Sequence, residues 1–156
     1  MRYEFSLPTK ADKVPAGDDW IHEIKHDGYR MLVVRDQDRV RLISRGGYDW
    51  ADRFPLIVAA ALNLRQKNFE LDGEVVVLDK DGVSDFDALS SRRHDKQVLF
   101  YAFDMLAGDG EDYRPQALVC ARPSSRGCSN AAWMASSSRN MSRATSATSY
   151  SAWHAT

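Results

Sequence analysis

The acidic side chains of this 156-residue chain stop at Asp112. Residues 1–114 hold all 22 Asp and Glu and 17 of the 21 Lys and Arg, an excess of five negative charges. Residues 115–156 hold no Asp, Glu or Lys, but four arginines, ten serines and nine alanines. Ordinary globular sequence is roughly a quarter charged, with both signs mixed. Only the first stretch has the composition and apolar periodicity of a chain that folds around its own core.

Two readings of residues 115–156 compete. One is a disordered Ser/Ala-rich tail. Trp133, Trp153, Met134, Met141, Cys120 and Cys128 fit that poorly, because such tails are depleted in these residues. The other, which we favour, is translation out of frame. Trp133-Met134-Ala135 must be encoded TGG-ATG-GCN, and a shift of two nucleotides turns this into Asp-Gly without any free choice. The same frame across Ser151 to His154 permits Gly-Met-Ala. The coding DNA decides between the two.

The first stretch reads as an α+β domain of antiparallel sheets with flanking helices. Residues 1–19 form an extended lead-in, since Pro8 and Pro15 exclude a helix interior. Trp20 to Lys25 is a strand, and Tyr29 to Arg35 with Val40 to Ser44 is an antiparallel hairpin turning at Asp36-Gln37-Asp38. Asp52 is the expected N-cap of a helix with Pro55 in its first turn and Phe54, Ile57, Val58, Ala61 and Leu62 at helical spacing. Phe69 to Leu78 is strand-like but interrupted at Asp72-Gly73, and Asp79 to Gly82 is a hairpin turn. Asp85 caps a short helix through Leu89, and the apolar run Val98 to Leu106 reads as a fully buried strand. No run of eighteen apolar residues and no targeting pattern occurs, so the default is a soluble intracellular protein.

Four short pieces carry chemistry. Lys25 lies in Glu23-Ile24-Lys25-His26-Asp27-Gly28-Tyr29-Arg30, between a strand and an Asp-Gly turn, with an arginine five residues on. A lysine amine attacks only when neutral, and a neighbouring arginine both disfavours the ammonium and clamps phosphate oxygens. Ser44-Arg45-Gly46-Gly47 ends a strand where backbone can approach a ligand closely. Glu70-Leu71-Asp72-Gly73-Glu74 gathers three carboxylates at a strand, suited to ribose hydroxyls or Mg²⁺. Phe100-Tyr101-Ala102-Phe103-Asp104 offers an aromatic ring to a purine. Each piece alone is more economically a solvated turn or core.

In order and spacing, the four resemble the adenylating domain of ATP-dependent DNA ligases, within the covalent nucleotidyltransferases that include RNA ligases and mRNA-capping enzymes. The similarity runs from Leu7-Pro8-Thr9 to Asp112-Tyr113-Arg114 and is nearest to bacterial ligases of the end-joining type. Lys-x-Asp-Gly-x-Arg is shared by the whole superfamily. Ser-Arg-x-Gly, Glu-Leu-Asp-Gly-Glu and Ala-Phe-Asp-Met-Leu point to the DNA ligase branch.

The resemblance implies a partial nucleotidyltransferase (ATP-grasp-like) fold over residues 20–114, with ATP and Mg²⁺ as cofactors. Lys25 would attack the α-phosphate of ATP and keep AMP as a phosphoramide. Glu23 and Ile24 would contact adenine, the latter through its backbone. Arg30 and Arg45 would contact ribose, phosphate or the 5′-phosphate of nicked DNA. Glu74 would bind ribose and help hold the metal, Phe103 would stack on adenine, and Asp27 with Gly28 would shape the lysine loop. The implied partners are nicked or broken double-stranded DNA and end-joining repair proteins, in the bacterial cytoplasm and away from membranes.

The family's later Glu-Gly-x-x-x-Lys and Lys-x-Lys elements have no counterpart after Arg114, nor does its trailing oligonucleotide-binding domain. The chain is therefore expected not to ligate alone and to adenylate itself weakly or not at all. The excess of negative charge in residues 1–114 argues against strong independent DNA binding. An RNA ligase or capping-type enzyme, a non-catalytic nucleotide-binding remnant, and the inactive product of a disrupted gene remain as rival readings.

Overall fold

Alternation of apolar and polar side chains builds most of this molecule. In the computed structural model the described residues are Phe5, 12–14, 20–115 and 150–154, with backbone alone for 20–23 and 150–154. The chain divides into two units, Met1–Lys25 with Thr145–Thr156, and His26–Ala144. In the first, β1 (Trp20–Ile24) pairs antiparallel with β7 (Tyr150–His154), Trp20 opposite His154. The expected strand at Trp20 to Lys25 is thus present and one residue shorter. Most of the expected lead-in and most of residues 115–156 lie outside the described residues.

The second unit is built on a five-stranded antiparallel sheet in the order β3-β2-β4-β5-β6. These strands are β2 (Tyr29–Asp36), β3 (Arg39–Ser44), β4 (Asn68–Val76), β5 (Leu99–Gly108) and β6 (Glu111–Asp112). Two helices join them, α1 (Pro55–Asn63) between β3 and β4 and α2 (Phe86–Ser90) between β4 and β5. The α+β expectation holds.

The hairpin β2–β3 forms as its pattern demands. Val40, Leu42 and Ser44 are buried while Arg39 and Arg41 are exposed, so period two places one face of β3 inward. Across the ladder Met31, Val33 and Leu42 are essentially inaccessible. The two-residue turn between Asp36 and Arg39 holds Gln37 at φ 54°, tied back by its N–H to the Lys67 carbonyl at 2.8 Å.

The helix α1 covers this inner face with Ile57 and Ala61, one turn apart. Its N-cap is Phe54 rather than the expected Asp52. Pro55 has no N–H and forces the residue before it out of helical backbone, so the helix cannot begin earlier. Leu62, expected on the buried stripe, is 37% exposed; it lies about 140° round the helix from Ile57. At the other end Arg35, only 5% exposed, donates from Nη1 to the carbonyls of Ala61 (2.8 Å) and Leu64 (2.9 Å). It thereby adds a second donor to the Ala61 oxygen, which already accepts from the Leu64 N–H at 3.3 Å, and caps the Leu64 oxygen just past the last turn.

Strand β4 runs unbroken through Asp72-Gly73, contrary to the expected interruption. Two features keep it whole. Asp72 is neutralised by Arg30, and Gly73 has no Cβ where one would lie 2.4 Å from the Tyr101 carbonyl oxygen and 2.5 Å from Phe100 Cζ. The irregularity appears instead as register shifts against β5 at Glu70/Leu71 and Asp72/Gly73. Those shifts explain why β5 is not the fully buried strand its composition indicates. Only Ala102, Met105 and Gly108 of its ten residues are buried, and Leu99 is 46% exposed.

The turn Asp79 to Gly82 and the Asp85 cap are as expected. Asp79 N–H donates to the Val83 carbonyl at 2.8 Å, and Asp85 Oδ1 accepts from Ala88 N–H at 2.8 Å. No helix among the described residues is long and apolar enough to cross a membrane.

Candidate active site

At the end of the sheet where β2 begins and β3 and β4 finish, a cleft of about 400 Å³ opens. Gly28, Tyr29 and Arg30 line it from β2 and its approach, Ser44, Arg45, Gly46, Tyr48 and Trp50 from the end of β3, and Glu74 from β4. Arg30 and Glu74 are direct cross-strand partners, and Tyr101 of β5 is the partner of Glu74 on its other side. Paired residues project to the same face of a sheet. Arg30, Glu74 and Tyr101 therefore form one row across three strands.

The next row holds Arg30 in place. Asp72, 4% exposed, accepts from Arg30 Nε at 3.1 Å and from Nη2 at 2.8 Å, the two-pronged fit of guanidinium to carboxylate. The same guanidinium lies over the Phe103 ring, 5.2 Å from its centroid. A cation with a fixed orientation thus stands at the edge of the cleft beside a carboxylate.

Arg45 reaches the cleft from a turn that Ser44 organises. Ser44 Oγ donates to the Tyr48 carbonyl at 3.1 Å and accepts from Tyr48 N–H at 3.2 Å, while Gly47 N–H donates to the Ser44 carbonyl at 2.8 Å. Gly47 sits at φ 83°, where a side chain is strained. The Arg45 side chain itself is exposed.

The back wall is aromatic. Tyr29 meets Trp50 edge-on at 4.9 Å and Phe86 at 5.4 Å. Behind them the Arg53 guanidinium lies 5.3 Å from the Tyr29 ring, 4.8 Å from Trp50 and 4.7 Å from Phe54. Its Nε and Nη2 each donate to Asp95 at 3.2 Å, and Nη2 also donates to the Leu89 carbonyl at 2.9 Å.

The lysine loop enters β2 at Gly28, where a Cβ would meet the Val75 carbonyl oxygen at 2.1 Å. Only glycine lets the chain pass so close to β4. Two residues earlier the His26 ring stacks on Tyr101, centroids 4.2 Å apart and planes 16° from parallel, with Nδ1 3.3 Å from Ser84 Oγ. Burial lowers the His26 pKa from its ordinary value and raises that of Tyr101. Asp27, between the two anchored positions, is exposed.

Of the residues singled out in the sequence, the structure brings Gly28, Arg30, Arg45 and Glu74 into one cleft and joins Phe103 to them through Arg30. Glu23, Ile24 and Lys25 belong to the first unit. There Glu23 pairs with Ser151, Ile24 is 68% exposed and Lys25 is exposed. Sequence reasoning missed Tyr48 and Trp50, and it named Asp72 and Ser44 within their motifs without the roles they have here. Asp72 carried a readable signal, because a residue two before Glu74 on a strand shares its face. Tyr48 and Trp50 carried none, since their role depends on how the loop after β3 folds back.

Comparison with known proteins identifies the family. The family model described as "ATP dependent DNA ligase domain" matches residues 6–123. The multifunctional non-homologous end joining protein LigD of Pseudomonas aeruginosa is 37% identical over 115 residues, 72% of this chain and 14% of that protein. The crystal structure of the ligase domain from M. tuberculosis LigD superposes with a TM-score of 0.62 at 41% identity, covering 66% of this chain and 34% of that one. A mycobacterial DNA ligase D complexed with ATP and MES superposes at 0.61, with the same identity and coverage. The antiparallel sheet with its few helices is the fold of those ligase domains, of which this chain spans about a third. By the extent of the match and by fold, the chain belongs to the family of ATP-dependent DNA ligase domains.

Proposed function

We propose that residues 20–114 form the nucleotide-gripping half of a ligase adenylation site, with Lys25 as its nucleophile. The observation that carries this reading is the convergence of Arg30, Arg45 and Glu74 on one cleft, with Arg30 held by Asp72. Two cations beside a carboxylate suit a ribose triphosphate, the cations on phosphate oxygens and Glu74 on ribose hydroxyls. Covalent geometry keeps the Lys25 Cα within about 11 Å of that of Gly28, whatever the loop conformation.

In the reaction, the Lys25 amine attacks the α-phosphorus of ATP, a phosphoramide bond forms, the bond to pyrophosphate breaks and the amine loses a proton. AMP then passes to the 5′-phosphate of nicked or broken double-stranded DNA, and a 3′-hydroxyl displaces it, as in bacterial end joining. Mg²⁺ fits Glu74 in the way that cation is usually held, by one carboxylate together with phosphates and water. No cluster of three ligating side chains exists among the described residues to hold a metal alone. Bound there, it supplies charge neutralisation at the phosphates.

We further infer that residues 115–156 are foreign to the domain. The lack of any Lys or Glu after Arg114 to supply the family's later clamps supports this, while the family match runs nine residues into the stretch and ends at residue 123. Reading the coding DNA in all frames from codon 110 onward tests it. A second reading, nucleotide binding without transfer, draws on the same lack, because one lost phosphate-stabilising donor costs about 3–4 kcal/mol of barrier.

Incubation with ATP and Mg²⁺ followed by intact and peptide mass spectrometry separates the readings. The expected result is saturable ATP binding with at most a trace of AMP adduct, located on Lys25 and lost in Lys25→Ala. Full adduct would show that the later elements are dispensable, and GTP outcompeting ATP would favour a capping-type enzyme. No nucleotide binding at all would sink the site.

A further inference from the structure

We propose that His26 is a positioning residue for the Lys25 amine, its ring clamped between Tyr101 of β5 and Ser84 of the hairpin that follows β4. The proposal rests on the reading of Lys25 as nucleophile. It starts from the residue next to that lysine, which the binding chemistry leaves unused.

The clamp is built from two parts of the second unit that are remote in sequence. The Tyr101 ring supplies a near-parallel surface at 4.2 Å, and Ser84 Oγ lies at hydrogen-bond distance from Nδ1. Both supports are themselves fixed. Tyr101 is the cross-strand partner of Glu74, and Ser84 is bridged to Leu78 across the hairpin. Two residues on, Gly28 is wedged against the Val75 carbonyl. The chain entering β2 is therefore held at positions 26 and 28, and the peptide bond from His26 sets where the main chain of Lys25 departs. Burial disfavours the charged ring, so near neutrality His26 adds no further cation beside the lysine.

The geometry also gives Tyr101 two roles at once. It continues the row Arg30, Glu74, Tyr101, and it carries the ring that anchors the lysine loop. An error in the seating of His26 is passed directly to the main chain of Lys25, whereas the cleft-lining residues of β2 and β4 keep their own backbone ladder hydrogen bonds.

The test uses the full chain and pyridoxal 5′-phosphate, an aldehyde carrying a phosphate, which condenses with a lysine amine to an imine with loss of water; borohydride then fixes the adduct. Peptide mass spectrometry compares the labelling rate at Lys25 with that at Lys80, whose side chain is 86% exposed. In the wild type Lys25 labels faster, because the phosphate docks on the cleft cations. Tyr101→Leu and His26→Ala lower the Lys25:Lys80 ratio about three- to tenfold, the factor an aromatic pair of ordinary strength represents. Tyr101→Phe keeps the ring and holds the ratio within about twofold. Amide exchange in β2 stays as in the wild type, which a general loss of packing would not allow. Should Tyr101→Leu fail to fold, Ser84→Ala, which cuts only the bond at Nδ1, carries the same test with a loss of about threefold. A wild-type preference for Lys25 that survives these changes overturns the proposal alone. Equal labelling of Lys25 and Lys80 in the wild type overturns the nucleophile reading, and the proposal with it.

Discussion

Arg30 and Asp72 lie on neighbouring strands and share two parallel hydrogen bonds, 3.1 Å at Nε and 2.8 Å at Nη2, with side chains only 15% and 5% exposed. The pair joins two strands and also orients the guanidinium that lines the cleft. Asp72→Asn keeps the shape but removes the charge and turns an acceptor into a donor facing Arg30. Breaking a shielded pair from one side leaves an uncompensated ion, so the expected loss is about 3 kcal/mol. Urea unfolding should show it as a lower midpoint with an unchanged slope. A loss under about 0.5 kcal/mol, the level of a surface pair, would mean solvent already screens this one.

Two glycines of the site separate close approach from backbone strain. At Gly28 an added Cβ meets the Val75 carbonyl oxygen at 2.1 Å, a backbone atom that cannot swing away. Gly28→Ala is expected to destabilise by about 2–3 kcal/mol, because β2 and β4 must part. At Gly47 nothing lies within 4 Å, and only the φ of 83° opposes a side chain. Gly47→Ala should cost about 1 kcal/mol. Thermal melts of the two variants side by side check the order, and a reversed order would locate the tighter contact at the wrong strand end.

These positions show how far the sequence alone could be read. Strands with strict alternation, such as Arg39–Ser44, and local hydrogen-bond signals, such as Asp85 before α2, were legible because their causes lie within a few residues. Asp72-Gly73 was misread as a break because its cause lies elsewhere. The counter-charge comes from Arg30 and the close approach from Phe100 and Tyr101. Composition alone made the run Val98 to Leu106 look buried throughout, whereas register shifts leave it one face only. The site residues Arg30, Arg45 and Glu74 were recognisable as a motif series, but their convergence depends on strand register that no local pattern reveals.

Arg35 illustrates a tertiary helix cap. Its Nη1 donates to the Ala61 and Leu64 carbonyls and its Nε to the Gln37 carbonyl at 2.8 Å, so one side chain closes α1 and the β2–β3 turn together. Arg35→Met preserves much of the apolar stem but removes the bonds to three carbonyl oxygens, of which that of Ala61 still accepts from the Leu64 N–H. The expected cost is about 3 kcal/mol, more than a packing change of that size would produce. Arg35→Lys, with a point charge in place of the fork, should recover less than half of it. Amide exchange at Ala61 to Leu64 should rise first, and protection retained there in Arg35→Met would show that solvent caps the helix instead.

The half-buried His26 ring makes stability depend on pH in a direction that can be worked out. Burial lowers its folded-state pKa below the ordinary 6.5, so the unfolded chain binds the proton more readily. The neutral ring's contribution is therefore complete above about pH 6.5. It falls as pH drops towards the folded-state value and is lost once both states are protonated. Protonation also makes Nδ1 a donor only and so alters the bond to Ser84, and loosening should begin at the lysine loop. Urea unfolding of the wild type should weaken between pH 7.5 and 5.5. His26→Gln, which cannot titrate, should show a flatter profile over the same interval. Identical slopes in the two proteins would assign the pH dependence to other groups and remove burial of this ring as its cause.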